Sequence, residues 1–213
     1  RKDKPQSLGQ LFRGRKQSLL LVLVIGSLRI IAASGVPVMI GYLLAARNAD
    51  ATQTGLVQSA FMLGIGLGGL TCATLLRAHH ERLILWLCPL LVTPVLIVIP
   101  SLSGLALAAV VCLSGILLGV SLPVLISFGQ QLMPGSPRIA SSITMGVSWG
   151  VGGGIVSIIL AACQFAGRFD LAFHAFAVAT AASSVLCIWL PVLPAARTTV
   201  VPVVPVVLAG ATT

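Results

Sequence analysis

Acidic side chains are almost missing from this chain. Of 213 residues, only Asp3, Asp50, Glu81 and Asp170 carry a carboxylate, and charged residues of both signs amount to 8%. A water-exposed surface of this size needs far more charge, so a soluble globular fold is excluded. Paired cysteines are lacking too. Cys72, Cys88, Cys112, Cys163 and Cys187 fall in five different apolar segments with no CxxC or Cys/His cluster, the pattern of buried small hydrophobes, so no disulfide, metal or cofactor is expected. The first apolar run is too long for a signal-peptide core, and no small-residue cleavage site follows the basic leader and that run. An initiating methionine is also absent, and the chain reads as a fragment of a larger frame. The net charge of +9 would suit nucleic acid. Against that, the basic leader Arg1, Lys2, Lys4, Arg13, Arg15, Lys16 is short, holds no aromatic residue but Phe12, and abuts an apolar run, so no nucleic-acid partner is expected.

What is present is long apolar sequence. Six segments run from Leu19 to Ala45, Thr54 to Leu76, Leu83 to Ile99, Gly104 to Ser127, Ile139 to Ala166 and Leu171 to Val192, and the mean hydropathy is +1.08. A spanning helix needs about 20 apolar residues to cross a hydrocarbon core of about 30 Å. Each segment is near or above that length, and in lipid each must satisfy its own backbone hydrogen bonds, so the reading is an all-α membrane protein with six transmembrane helices.

The basic leader precedes the first segment, which places that end in the cytoplasm by the positive-inside rule. Arg77, Arg82, Arg138 and Arg197 then fall on the inner side, and only Arg47 and Arg168 fall outside, each near an aspartate. The expected organisation is a cytoplasmic basic linker over 1–17, a six-helix bundle over 18–193 and a disordered cytoplasmic tail over 194–213. The expected location is the inner cell membrane, multi-pass, with both termini cytoplasmic.

Glycine content repeats in threes: the second and fifth segments are glycine-rich, and the third and sixth contain none. If segments one to three recur as four to six, an odd number of crossings separates the two units, which makes them two inverted three-helix repeats. Such units build many secondary transporters. Gly64 and Gly68 form one smooth stripe, and Gly146, Gly150 and Gly154 another, which lets backbones approach closely and suits packing between two six-helix halves. Breakers at Gly26, Gly35, Pro37 and Gly41 in the first segment, and at Gly115, Gly119 and Pro123 in the fourth, point to a binding cavity between those helices.

Arg29 is the one charge deep inside a segment. An arginine at the centre of a span costs about 2.5 to 3.5 kcal/mol on insertion scales, so its presence is a functional-site hypothesis. Two roles are open: a guanidinium facing a wet cavity and pairing with an anionic substrate group or a carboxylate of another half, or one bonded to carbonyls within the bundle. Ser27, Ser34, Ser114 and Ser121 are the further candidate substrate contacts, with Gln58 a lesser one. No carboxylate lies within a segment, so proton coupling would need one from elsewhere. An intramembrane serine protease is a poor fit, because Cys112 stands where the GxSG signature has its first glycine and His174 lies too near its helix end. No enzymatic activity is expected.

Gln130, Gln131, Leu132, Met133, Pro134 and Gly135, followed by Ser141, Gly146, Gly150, Gly152 and Gly153, resemble the QxLLPG-like loop and GxxxGxGG helix of the carboxyl-terminal half of a major facilitator carrier of the fosmidomycin-resistance type. The resemblance runs from about Lys16 to Pro191. It implies half of a major facilitator fold: helices one and four line a central cavity, two and five contact the other half, and three and six face lipid. It also implies efflux of a small compound in exchange for protons. The missing amino-terminal half, or a second copy, would be the partner beside the lipid bilayer and the small-molecule substrate. Two departures stand out. In the stretch Cys72 to Glu81 only Arg77 keeps its place in the family's G-x-x-x-D-R-x-G-R-R pattern, and Gln131 replaces a common acidic residue.

Overall fold

The computed structural model describes residues 16–75, 81–133 and 136–191. Among them there is no strand, and six helices are long and apolar enough to cross a membrane. They are α1 Lys16–Ala46, α2 Ala51–Leu75, α3 Glu81–Val98 with a 3-10 turn Ile99–Ser101, and α4 Gly104–Leu132. Next comes α5, built of Pro137–Ser141, a π-helical stretch Ser142–Val147 and Ser148–Ala166, and then α6 Asp170–Leu186 with a 3-10 turn Cys187–Trp189. Arg77, His79, His80, Pro134, Gly135 and the expected linker and tail lie outside the described residues, apart from 16 and 17.

Tight turns join the helices at one end. Asn48 and Gly104 take left-handed backbone conformations, and Gly167, also left-handed, closes α5 while its N–H donates to the Gln164 carbonyl. The Asp50 carboxylate accepts the Gln53 backbone N–H at 2.6 Å, so α2 begins three residues earlier than its apolar run. Arg47 clasps the α3–α4 turn by donating to the Leu102 carbonyl at 2.5 Å and to the Pro100 carbonyl. At the other end, Arg82 at the start of α3 donates to Ile188 O, and Gln131 on α4 donates to the Glu81 carboxylate.

α1 is the most buried helix, and α2 and α5 are the least. α1 lies against α5 and α6, α2 runs along α4 in the most extensive contact of the bundle, and α3 rests on α6 and α4. Most of the larger contacts fall into couples when the first three helices are exchanged for the last three, although α2 on α4 is the more extensive member of its couple. α2 on α4 answers α5 on α1, α3 on α4 answers α6 on α1, and the α3–α6 and α1–α4 contacts answer themselves.

Lipid tails are as apolar as leucine, so close packing holds these pairs together rather than escape from water. Glycine supplies it at the α2–α4 seam. A methyl group on Gly64 would lie 2.3 Å from the Cys112 carbonyl oxygen, and one on Gly68 would lie 2.2 Å from that of Ile116. On the facing helix, one on Gly115 would lie 2.4 Å from Phe61 O, and one on Gly119 2.3 Å from Ile65 O. Four glycines thus interlock two backbones. The side chains above and below form two apolar clusters: one holds Ile31, Phe61, Val92, Leu118, Phe173 and Phe176, the other Leu19, Ile25, Leu85, Val124, Leu132 and Cys187.

Candidate functional site

Arg29 stands near the middle of α1, at the level where one apolar cluster gives way to the other. Its side chain is fully buried. One terminal nitrogen donates to the Ser121 carbonyl on α4 at 3.3 Å. The other donates to the Leu85 carbonyl on α3 and to Cys187 Sγ beside α6 at 3.2 Å. A single guanidinium therefore joins four helices.

Leu85 is the acceptor for a backbone reason. Pro89 follows it by four residues and has no N–H to donate, so the helix leaves this carbonyl without its ordinary partner. A free carbonyl in a bilayer core is costly, and here Arg29 and the Cys187 thiol, which donates to the same oxygen at 3.3 Å, both satisfy it. Next in line, the Trp86 carbonyl accepts the Ser184 hydroxyl. Thr93 and Thr180 meet across α3 and α6 at 3.3 Å. The groups around the Leu85 and Trp86 carbonyls form one polar cluster, and the Thr93–Thr180 contact lies about two turns along α3 from it. Arg29 Nε is buried with no hydrogen-bond partner among the described residues.

Of the two roles open for Arg29, the hydrogen bonds fit the second: the buried guanidinium bonds carbonyls within the bundle. The candidate serines are occupied in the same way. The hydroxyl of Ser27 donates to Leu23 O at 2.9 Å, Ser34 to Ile30 O at 2.7 Å, Ser114 to Val111 O at 2.7 Å and Ser121 to Leu118 O at 2.9 Å, each within its own helix. Ser27, Ser114 and Ser121 are also buried. Ser114 and His174 share no contact; the imidazole bonds the Asp170 carbonyl at an exposed position.

The glycine readings divide. Gly64 and Gly68 were expected to pack against another half, but α4 of this same chain occupies that face. Their partners Gly115 and Gly119, which looked in sequence like breakers lining a cavity, are the other side of the seam. Gly26 and Gly35 are likewise filled, by Ser148 and by the Phe176 ring. On α5 the glycine that meets α1 is Gly152, against Ile30 and the Ser27 carbonyl, whereas a methyl group added to Gly146, Gly150 or Gly154 would meet nothing within 4 Å, and these three are exposed. Gln130 donates to the Ser141 hydroxyl at 2.7 Å, tying α4 to α5.

An open groove of about 580 Å³ lies between α1 and α2, lined by Pro37, Val38, Gly55, Gln58, Ser59 and Met62. Gln58 Nε2 crosses it to donate to the Pro37 carbonyl at 2.9 Å. Sequence reading passed over this groove because only Gln58 marks it. It passed over Pro89 as the cause of the Arg29 contact, although the four-residue offset to Leu85 was there to be read. Among the described residues, no group of histidine, cysteine and carboxylate side chains could hold a metal ion. Compared with known protein families, curated proteins and solved structures, the chain matches none.

Proposed function

We propose that the chain is one six-helix half of a secondary transporter of the major facilitator kind, built of two inverted three-helix repeats. The single observation that carries this reading is the coupled contact pattern, in which α2–α4 answers α5–α1 and α3–α4 answers α6–α1. Two units related by a pseudo-two-fold axis in the membrane plane make such couples, and transporters use that symmetry to rock about a central site. The open glycine stripe on α5 supports a second half or second copy on that side. With the charge of Arg29 spent on carbonyls, an anionic substrate loses its cation in this conformation. With no carboxylate inside a span, proton coupling must come from the partner, or the carrier is a uniporter or exchanger.

A second reading, a membrane scaffold that binds partners without flux, is favoured by that same sequestered arginine. The two are separated by expressing the chain in a host stripped of its own exporters and following accumulation of labelled neutral and anionic compounds. The transporter reading expects lowered accumulation of at least one compound, abolished when Gly68→Leu forces α2 from α4. Correct membrane insertion with no change for any compound, alone or with a second half supplied, would leave the scaffold.

A further inference from the structure

We infer that the groove between α1 and α2 is a binding site for a neutral, mostly apolar molecule carrying one hydrogen-bonding group. As a substrate site it rests on the transporter reading; as a binding site it does not. Its volume of about 580 Å³ falls in the range of small-molecule sites, about 300 to 1,000 Å³. Pro37, Val38, Gly55 and Met62 make most of the wall apolar, and no charged side chain lines it. Arg29, the nearest charge by sequence on α1, is fully buried and spends its terminal nitrogens on Ser121, Leu85 and Cys187. An ion placed in the groove would find no partner there, which selects against charge of either sign.

Lipid tails alone do not suit the groove either. Gln58 lies seven residues into α2, about 10 Å along the helix from its start, within the apolar run. A primary amide can make about four hydrogen bonds, and Gln58 spends one N–H on the Pro37 carbonyl at 2.9 Å. Gln58 lines a groove in which an acyl chain offers no donor or acceptor for the rest of that capacity. A ligand with an amide, hydroxyl or carbonyl among apolar groups satisfies that remainder, and the Pro37 bond holds the amide in place to receive it.

The test uses the purified chain in nanodiscs, with labelled benzanilide, a neutral diaryl amide, as probe and diphenylacetate, a diaryl anion of similar bulk, as competitor. The expected result is saturable binding that diphenylacetate does not displace. Gln58→Leu should weaken it about tenfold, the worth of one well-made hydrogen bond. Val38→Trp, at an exposed position on the groove wall, should block it by filling the space without touching the Gln58–Pro37 bond. Thermal midpoints of both variants should match the parent, and if Gln58→Leu unfolds, Val38→Trp carries the test alone. Purely linear partitioning, binding unchanged in Val38→Trp, or displacement by diphenylacetate would each overturn the site. Saturable, variant-sensitive binding in a chain that moves no solute would uphold the site and remove the transporter reading, whereas flux in a chain whose benzanilide binding is unsaturable or indifferent to both variants would do the reverse.

Discussion

Arg29 and Pro89 act as one unit, and that makes the arginine's role measurable. Arg29→Met should destabilise the fold, because it strips a donor from the Leu85 and Ser121 carbonyls in surroundings where water cannot replace it. Pro89→Ala returns an N–H to α3 and lets the helix satisfy Leu85 itself. In that background Arg29→Met should cost less, with a coupling of about 1 kcal/mol in a double-mutant cycle read by denaturant titration in mixed micelles. Additive costs would mean that the guanidinium serves something other than the proline-freed carbonyl. The position of Arg29 was legible in sequence, since a lone charge in an apolar run stands out. Its partners were not, because backbone carbonyls are the same at every residue and only a proline four residues on marks one as unpaired.

Among the helices, the small residues sort into those already used and those still open. Gly68→Leu or Gly115→Leu must push α2 from α4, since even a single methyl group there would collide with backbone that cannot give way. Overpacking of this kind costs about 1 to 3 kcal/mol or more. Gly150→Leu builds its Cβ at an exposed position where nothing lies within 4 Å, so the stability of the isolated chain should hold within about 0.5 kcal/mol. Thermal unfolding of the purified variants checks both, and equal losses at Gly68 and Gly150 would refute the division. Six helices, their order and most of their ends could be read from the apolar runs and turn residues. The four-residue glycine spacing also announced close approach. Which helix approached could not be read: Gly64 and Gly68 look the same whether they meet Gly115 and Gly119 or another molecule, and the choice depends on how the helices are arranged around α1.

Taken whole, the molecule has two chemically different ends, and the difference predicts how it sits in the bilayer. At one end Arg47 is committed to the Leu102 and Pro100 carbonyls, and Arg168 pairs with Asp170 at 2.9 Å, so each arginine has a local partner. The opposite end gathers the start of α1 with Lys16, the start of α3 with Arg82, the end of α4 and the start of α5 with Arg138. Positive charge near helix ends is retained on the cytoplasmic side during insertion. That end should therefore face the cytoplasm, with the turn carrying Arg168 on the other side. Trypsin offers a direct check, because the Arg168 side chain is 62% exposed in its turn. In sealed right-side-out vesicles the chain should be cut at Arg168 and spared at Arg138, and in inside-out vesicles the pattern should reverse. Cutting at Arg168 from the cytoplasmic side would invert the topology. The groove between α1 and α2 would then open toward the cytoplasm, because it lies in the half of the bundle nearer the α1–α2 turn.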